Sequence, residues 1–269
     1  MKWKIFTRWL KIAVLLYCIA GIVLYYVQDD ILFHPEQFAR NGNYGFPDSS
    51  VEVNIPYDRT TNLNIVEFKT RDTVAKGVVL YFHGNRKNVS WYARFAAGFT
   101  DSHFEVWMLD YPGFGKSTGK FAELKLYDYA LQVYRLARKR FKPSEIIIFG
   151  KSFGSCLAAQ LASVRDCRYL VLETPCYSLA SLVTHYFPIY PVSRMLHYRF
   201  PNYEYLLKVT APVVIFHGTD DGIVPYSNAA RLKASLKAGD EFITIPGGSH
   251  NDLAGFPIYR HTLDSLLDN

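Results

Sequence analysis

Apolar runs of two lengths organise the chain. The first, residues 12–27, is uncharged, follows a cluster of basic residues and ends at Gln28-Asp29-Asp30. Counted from Trp9, with Lys11 snorkelling, it is 19 residues, or about 28 Å as a helix, close to the ~30 Å of a bilayer core. Residues 28–50 carry Pro35, Gly42, Gly45 and Pro47 and read as an extended connector. The later apolar runs are short and rich in β-branched and aromatic residues. Residues 51–57 and 63–69 flank Asp58-Arg59-Thr60-Thr61-Asn62, the pattern of an antiparallel hairpin. Residues 77–82, 104–109, 146–149, 168–173, 211–216 and 241–245 read as buried strands. Between or after them, residues 89–100, 121–140, 155–164, 226–237 and 257–267 read as helices. The 121–140 helix has its apolar positions at Leu124, Tyr127, Leu131, Tyr134 and Ala137. Alternating strands and helices predict an α/β fold: a mostly parallel sheet covered on both faces, with the hairpin at one edge.

Charge sharpens the reading of the N-terminus. The net charge of the 269 residues is +6. Lys2, Lys4, Arg8 and Lys11 precede the long apolar run, and the first 27 residues hold no acid. The remainder has 26 basic against 24 acidic residues, so the positive balance belongs to a tail and not to a nucleic-acid surface. Residues 1–27 are therefore expected to be a cytoplasmic tail and uncleaved transmembrane anchor. Trp9 and Tyr25-Tyr26 mark its two interfaces, with the body on the extracytoplasmic side. A signal peptide cut after Cys18-Ile19-Ala20 fits less well, because the chain stays apolar beyond that point. Cys18, Cys156, Cys167 and Cys176 show no metal-binding spacing and no disulfide framework. The glycines of residues 113–117 do not have the spacing of a phosphate loop. No cofactor, metal or nucleic-acid partner is expected.

The candidate chemistry sits where the 146–149 strand ends, in Gly150-Lys151-Ser152-Phe153-Gly154. A strand turning at once into a helix holds its central residue in a strained conformation, and glycines on either side let the backbone approach closely. Ser152 is then a nucleophile if a base is within reach, and Phe153 N–H is one donor for an oxyanion. Of the histidines, His83 and His217 lie in His-Gly pairs at strand ends, where a turn-stabilising hydrogen bond is their ordinary task. His250 lies in the glycine-rich loop 247–252 after the last strand, placed to reach over the carboxyl edge of the sheet. His34, His103 and His261 lack such a setting. For an acid to orient the base, Asp220 and Asp221 compete, and Glu173 is a third choice.

These pieces together resemble the α/β-hydrolase superfamily. The resemblance is carried by Tyr81-Phe82-His83-Gly84-Asn85, Asp110-Tyr111-Pro112-Gly113-Phe114-Gly115, residues 150–154, residues 217–225 and His250-Asn251-Asp252, and it runs from about residue 60 to the end. It implies the order nucleophile, acid, histidine, hence Ser152, Asp221 and His250. Asp221 is the acid because the family's loop reads His-Gly-x-x-Asp-x-x-Val-Pro. It also implies that the second oxyanion donor is the backbone N–H of Asn85. Arg86-Lys87-Asn88 departs from the small residues usual there. Residues 174–210, aromatic-rich and longer than a usual crossover, occupy the place of the family's lid; by themselves they read equally as a connecting helix and an irregular loop. With its anchor the chain is most similar to membrane-associated ABHD-type hydrolases, which include protein depalmitoylases, and also to dienelactone-hydrolase-like and serine-aminopeptidase-like proteins.

The expected domains are 1–27 anchor, 28–50 connector and 51–269 hydrolase domain. The expected function is cleavage of an acyl ester, thioester or lipid by a Ser-His-Asp triad. A peptidase needs carboxylates to hold a free amine, and residues 174–210 hold only Glu204, against Arg194, Arg199 and Lys208. A silent scaffold on the same fold would have no chemical need for an intact triad.

Overall fold

The computed structural model describes residues 2–46 and 49–268, so Pro47 of the connector lies outside the described residues. Helix α1 (Lys2–Leu32) leads into a two-residue strand β1 (His34–Pro35). The hairpin β2 (Ser50–Pro56) and β3 (Asn62–Phe68) follows, then β4 (Gly77–Phe82) and the short β5 (Arg86–Lys87). Short helices α2 (Val89–Tyr92) and α3 (Ala97–Thr100) lead to β6 (Phe104–Leu109), α4 (Glu123–Ala137), β7 (Ile146–Lys151) and α5 (Gly154–Ala162). After β8 (Tyr169–Glu173) come three small helices, α6 (Leu179–Tyr186), α7 (Val192–Met195) and α8 (Asn202–Leu206). The chain ends with β9 (Val213–Gly218), α9 (Tyr226–Ala229), β10 (Glu241–Ile245) and α10 (Pro257–Asp268).

The eight-stranded sheet runs β10-β9-β8-β7-β4-β6-β3-β2. Neighbours are parallel from β10 to β6, and β3 and β2 complete the sheet as an antiparallel edge. β4, β6 and β7 are buried at every position. Alternate residues feed two cores: Val78, Leu80, Phe82, Ile146 and Ile148 pack on one face, Val79, Tyr81, Ile147 and Phe149 on the other. This is why the strands read as unbroken apolar runs and not as alternation. The chain leaves β4 for β6 on one side and reaches β7 on the other, so the strand order reverses at β4. The carboxyl ends of β4 and β7 thus flank the crevice where open α/β sheets place ligands.

Three expectations about elements change. The 89–100 helix is two short helices joined by a 3₁₀ turn at Ala93–Phe95, and the 226–237 helix is α9 followed by a 3₁₀ turn at Ala230–Ser235. On α4 the buried stripe is Leu126, Tyr127, Ala130, Val133, Tyr134 and Ala137, while Leu124 is 78% exposed. Arg140, beyond that helix, is held by a paired contact: its Nη1 and Nη2 donate to Glu105 Oε2 and Oε1 at 2.9 and 2.5 Å.

The third change concerns the N-terminus. α1 does not stop at Val27 but continues through Gln28-Asp29-Asp30 to Leu32, and its 31 residues span about 46 Å. Gln28, polar in sequence, is buried because it is fully used: Nε2 donates to the carbonyls of Tyr25 and Met195 at 2.6 and 3.2 Å, and Oε1 accepts from His197 N–H at 2.8 Å. The following residues are not a free tether either. Asn85 Nδ2 donates to the carbonyl of Leu32 at 2.5 Å, and His34 N–H donates to the carbonyl of Asn85 at 2.9 Å. Phe33 is buried against Phe121, Phe153 and Tyr198.

Helix α5 approaches the sheet as closely as its small residues allow. A Cβ built on Gly154 would stand 1.9 Å from the carbonyl oxygen of Phe82, and one on Gly150 2.6 Å from the carbonyl oxygen of Gly154. Gly154→Ala is therefore expected to lower stability by at least roughly 1–3 kcal/mol, the usual cost of overpacking. A shift in denaturation midpoint, followed by circular dichroism on the detergent-solubilised chain, measures it; an unchanged midpoint would mean the elbow has room.

Candidate active site

Ser152 follows β7 with φ of +52°, in the left-handed region that a serine enters only when its surroundings hold it there. Its N–H is tied to the carbonyl of Glu173 at 2.8 Å. His250 Nε2 lies 2.9 Å from Ser152 Oγ, and His250 Nδ1 lies 2.8 Å from Asp221 Oδ2. The other oxygen of Asp221 accepts from the N–H groups of Ile223 and Val224 at 2.9 and 2.8 Å. Burial pushes the Asp221 carboxyl upward, but the hydrogen bond and charge of His250 and the two amides outweigh it, so the group sits below the usual carboxylate range. As an ionised acceptor it fixes the proton of His250 on Nδ1 and leaves Nε2 facing the serine hydroxyl.

The other candidate acids are engaged elsewhere. Asp220 is exposed, and its Oδ1 accepts from the Thr219 hydroxyl at 2.8 Å. Glu173 is buried, with Oε2 accepting from Tyr259 O–H at 2.7 Å and Oε1 from Lys151 Nζ. Lys151 also reaches the carbonyl of His250 at 3.2 Å. Lys151 and Tyr259 were missed in the sequence. The signal for Lys151 was present: a lysine between a buried strand and a buried helix must find a carboxylate beneath the sheet edge.

His83 and His217 do not approach Ser152 as bases. His83 Nδ1 lies 2.8 Å from the carbonyl of Gly84, and His217 Nε2 2.9 Å from that of Val224. Burial lowers the proton affinity of His217. The loop after β4 is braced from three sides. Tyr111 O–H donates to the carbonyl of His83 at 2.7 Å, Asp110 Oδ1 accepts from Val89 N–H at 2.9 Å, and Asn88 caps α2 by accepting from Ser90 N–H at 2.9 Å. Arg86-Lys87, the unusual pair in this loop, forms β5 and pairs in parallel with β1 through its backbone, and Lys87 Nζ donates to Glu36 Oε1 at 3.0 Å, which adds a side-chain tie to the segment after α1. The backbone N–H groups of Asn85 and Phe153 are without a hydrogen-bond acceptor among the described residues.

A cavity of about 410 Å³ opens over Ser152 and His250, lined also by Asn85, Arg86, Lys87 and Trp91. Residues 174–210 form α6, α7 and α8, and Tyr186 O–H fastens α6 to the acid loop through the carbonyls of Gly222 and Ile223 at 3.1 and 2.8 Å. The cysteines are all thiols, and Cys176 meets Cys156 behind the elbow. Among the described residues no group of His, Cys, Asp and Glu is arranged to hold a metal.

A sequence family described as serine aminopeptidase, S33, matches residues 73–206. Alpha/beta hydrolase domain-containing protein 17C of Xenopus tropicalis is 28% identical over 196 residues, 71% of this chain and 61% of that protein. An uncharacterized protein of Mycobacterium tuberculosis is 32% identical over 176 residues, 65% of this chain and 63% of that protein. The matched part is thus about three fifths of the length of these relatives. An esterase of Pyrococcus furiosus superposes with a TM-score of 0.67, covering 88% of this chain and 97% of its own at 16% identity. A monoacylglycerol lipase of Paleococcus ferrophilus does so with a TM-score of 0.59, covering 77% and 98% at 19% identity. At these identities the two structures speak for the fold. The chain belongs to the α/β-hydrolase superfamily. This α/β-hydrolase differs from the bare fold in its long α1, the one described helix that is long and apolar enough to cross a membrane.

The α/β-hydrolase's buried Lys151–Glu173 pair yields a stability test. Removing one partner of such a pair leaves the other buried and uncompensated, at about 3–5 kcal/mol, whereas replacing both with apolar groups is often near neutral. Glu173→Ala should therefore destabilise far more than the double variant Lys151→Met with Glu173→Leu. Denaturant titrations of both variants check this, and equal losses would contradict it.

Proposed function

We propose that the chain is a membrane-anchored serine hydrolase that cleaves acyl ester or thioester bonds through an acyl-enzyme. The observation that carries this is the relay from Ser152 Oγ through His250 to Asp221, with steps of 2.9 and 2.8 Å. Ser152 Oγ attacks the acyl carbonyl while His250 Nε2 takes its proton, and Asp221 keeps the imidazole oriented and stabilises its charged form. The oxyanion is received by the N–H groups of Asn85 and Phe153. His250 then gives its proton to the departing alcohol or thiol, and a water molecule repeats the sequence to free the acid and Ser152.

The family description favours a second reading, a peptidase acting at a free amine. The site offers that amine little: among the described residues the cavity over Ser152 is lined by Arg86, Lys87 and Lys151 and by no carboxylate, and Glu204 is engaged by Arg199 Nη2 at 3.0 Å and Tyr203 O–H at 2.9 Å. Acyl transfer from an ester or thioester suits these surroundings better. Rates on acyl esters set against amino-acid amides separate the two readings.

Ser152→Ala is expected to abolish labelling by a fluorophosphonate and to lower hydrolysis by on the order of 10⁴ to 10⁶. Labelling of another serine at the wild-type rate would remove Ser152 from its role. Asp221→Asn should be much more damaging than Asp220→Asn, because only Asp221 faces His250; the opposite ranking in kcat/KM would reverse the assignment.

The basic residues Lys2, Lys4, Arg8 and Lys11 in the first turns of α1 and the acids Asp29 and Asp30 near its far end support an anchor with the N-terminus in the cytoplasm and the body extracytoplasmic. The protein should stay in membranes through alkaline carbonate extraction, and its body should be digested by protease added to intact spheroplasts. Release by carbonate would argue for a cleaved or peripheral segment, and protection in spheroplasts for a cytoplasmic body.

A further inference from the structure

A second cavity, of about 370 Å³, lies between α1 and the segment that follows β8, within the size range of small-molecule sites. One wall is the C-terminal half of α1, with Leu24, Gln28 and Ile31; the other is α6, α7 and the turn between them, with Leu182, Met195 and Phe187. The lining is almost entirely apolar. Ile31, Asn85 and Ile223 line both this cavity and the one over Ser152, so the two meet at the candidate oxyanion loop.

The walls are joined firmly. Gln28 ties α1 to Met195 and His197, and Tyr17 stacks on Tyr190 with ring centres 4.7 Å apart. Tyr17 O–H donates to the carbonyl of Ile189 at 2.9 Å, and Tyr190 O–H to that of Tyr17 at 3.2 Å. Gly21 is where the second wall comes closest, since a Cβ there would stand 3.0 Å from the Tyr190 ring.

These contacts fix a depth. Tyr17 is ten residues before Val27, about 15 Å along the helix. If residues 9–27 span the bilayer, the tip at residues 187–191 lies within the hydrocarbon beside α1. Its composition suits that place. Pro188 and Pro191 have no N–H to satisfy, Phe187 and Tyr190 donate theirs within the segment, and Ile189, 70% exposed, points an apolar side chain outward.

We propose that this cleft is an acyl-chain site whose wall is the anchor helix itself and whose mouth opens into the bilayer. A long acyl chain would pass sideways from the hydrocarbon, between α1 and α6, and bring its carbonyl to Ser152. The inference rests on Ser152 being the nucleophile and adds the substrate class: a long-chain acyl ester or thioester taken from the membrane without passing through water. α1 is then a binding element, not only a tether.

The test uses the full chain in phospholipid nanodiscs with p-nitrophenyl esters from acetyl to hexadecanoyl. Leu24→Trp and Leu182→Trp fill the cleft from opposite walls, and Val23→Trp, on a residue outside the cavity lining, is the control. Each blocking variant should lower the ratio of long-chain to acetyl kcat/KM by at least about tenfold, as the loss of a few methylenes' worth of pocket does. Val23→Trp should keep the wild-type ratio. Because the two blocks come from different elements, a folding defect in one leaves the other to decide. An unchanged ratio in a blocking variant that still labels with a short fluorophosphonate overturns the acyl site. A wild-type protein that does not label at Ser152 overturns both this inference and the reading beneath it. Assays of the same variants on a monoacylglycerol and on an S-acylated peptide tell whether the chain comes from a glyceride or from an acylated protein; sensitivity to the block in either supports the site.

Discussion

The close crossing of β7 and α5 is the constraint on which the rest of the molecule depends. With Gly154 against the carbonyl of Phe82 and Gly150 beneath α5, no side chain fits at either position, and Ser152, midway between them, is held at φ of +52°. The strain of that conformation is held by the Ser152 N–H bond to the backbone of Glu173 and by complete burial of α5's small residues. Bringing β8 so near puts the Glu173 side chain under the site, away from water. Lys151 and Tyr259 are the answer to that burial, and Lys151's second contact, to the carbonyl of His250, extends it to the histidine loop. A packing requirement in the sheet therefore propagates into the placement of the imidazole.

The same crossing fixes the N-terminal helix. Phe153, next to Ser152, packs against Phe33, Phe121, Tyr111 and Phe200. Phe33 directly follows α1, and the end of α1 is bonded to Asn85. Asn85 and Phe153, whose backbone amides are the candidate oxyanion donors, thus both hold this end of the helix. A helix joined in this way to both sides of the crevice, and by Gln28 and Tyr17 to the segment above it, has one preferred pose on the body.

The inner strands β4, β6, β7 and β9 were legible because each is buried on both faces, which leaves a nearly continuous apolar run. The positions of Ser152, His250 and the aspartate pair were legible because glycine and loop residues sit at strand ends in a fixed order. What was not legible came from tertiary partners. Gln28-Asp29-Asp30 looks like a helix stop, yet Gln28 continues the helix because partners far along the chain satisfy its amide. The stripe of α4 was displaced to Leu126 and Ala130 because α5 and α8 decide which side is covered, and Leu124 is left outside. The extent of the 226–237 helix depended on packing that its own residues do not encode, and it broke into a 3₁₀ turn.

Three ionisable clusters converge on one end of this sheet, and their separation leaves one carboxylate to the imidazole that faces Ser152. His83 Nε2 lies 3.2 Å from Asp110, whose other contacts are Val89 N–H and the Tyr44 hydroxyl. Glu173 is closed off by Lys151 and Tyr259. Asp221 is, among the described residues, the carboxylate within reach of two imidazoles, at 2.8 Å from His250 and 3.5 Å from His217. Burial decides between them: His217 is wholly enclosed, its proton affinity falls, and it satisfies itself on the carbonyl of Val224. Neutral there, it makes no claim on the charge of Asp221, which is left to the imidazole that faces Ser152. Were His217 more exposed, two histidines would compete for one carboxylate and Ser152 would face an imidazole of uncertain tautomer. The depth at which β9 buries His217 is thus as much a part of the site as the three residues in line.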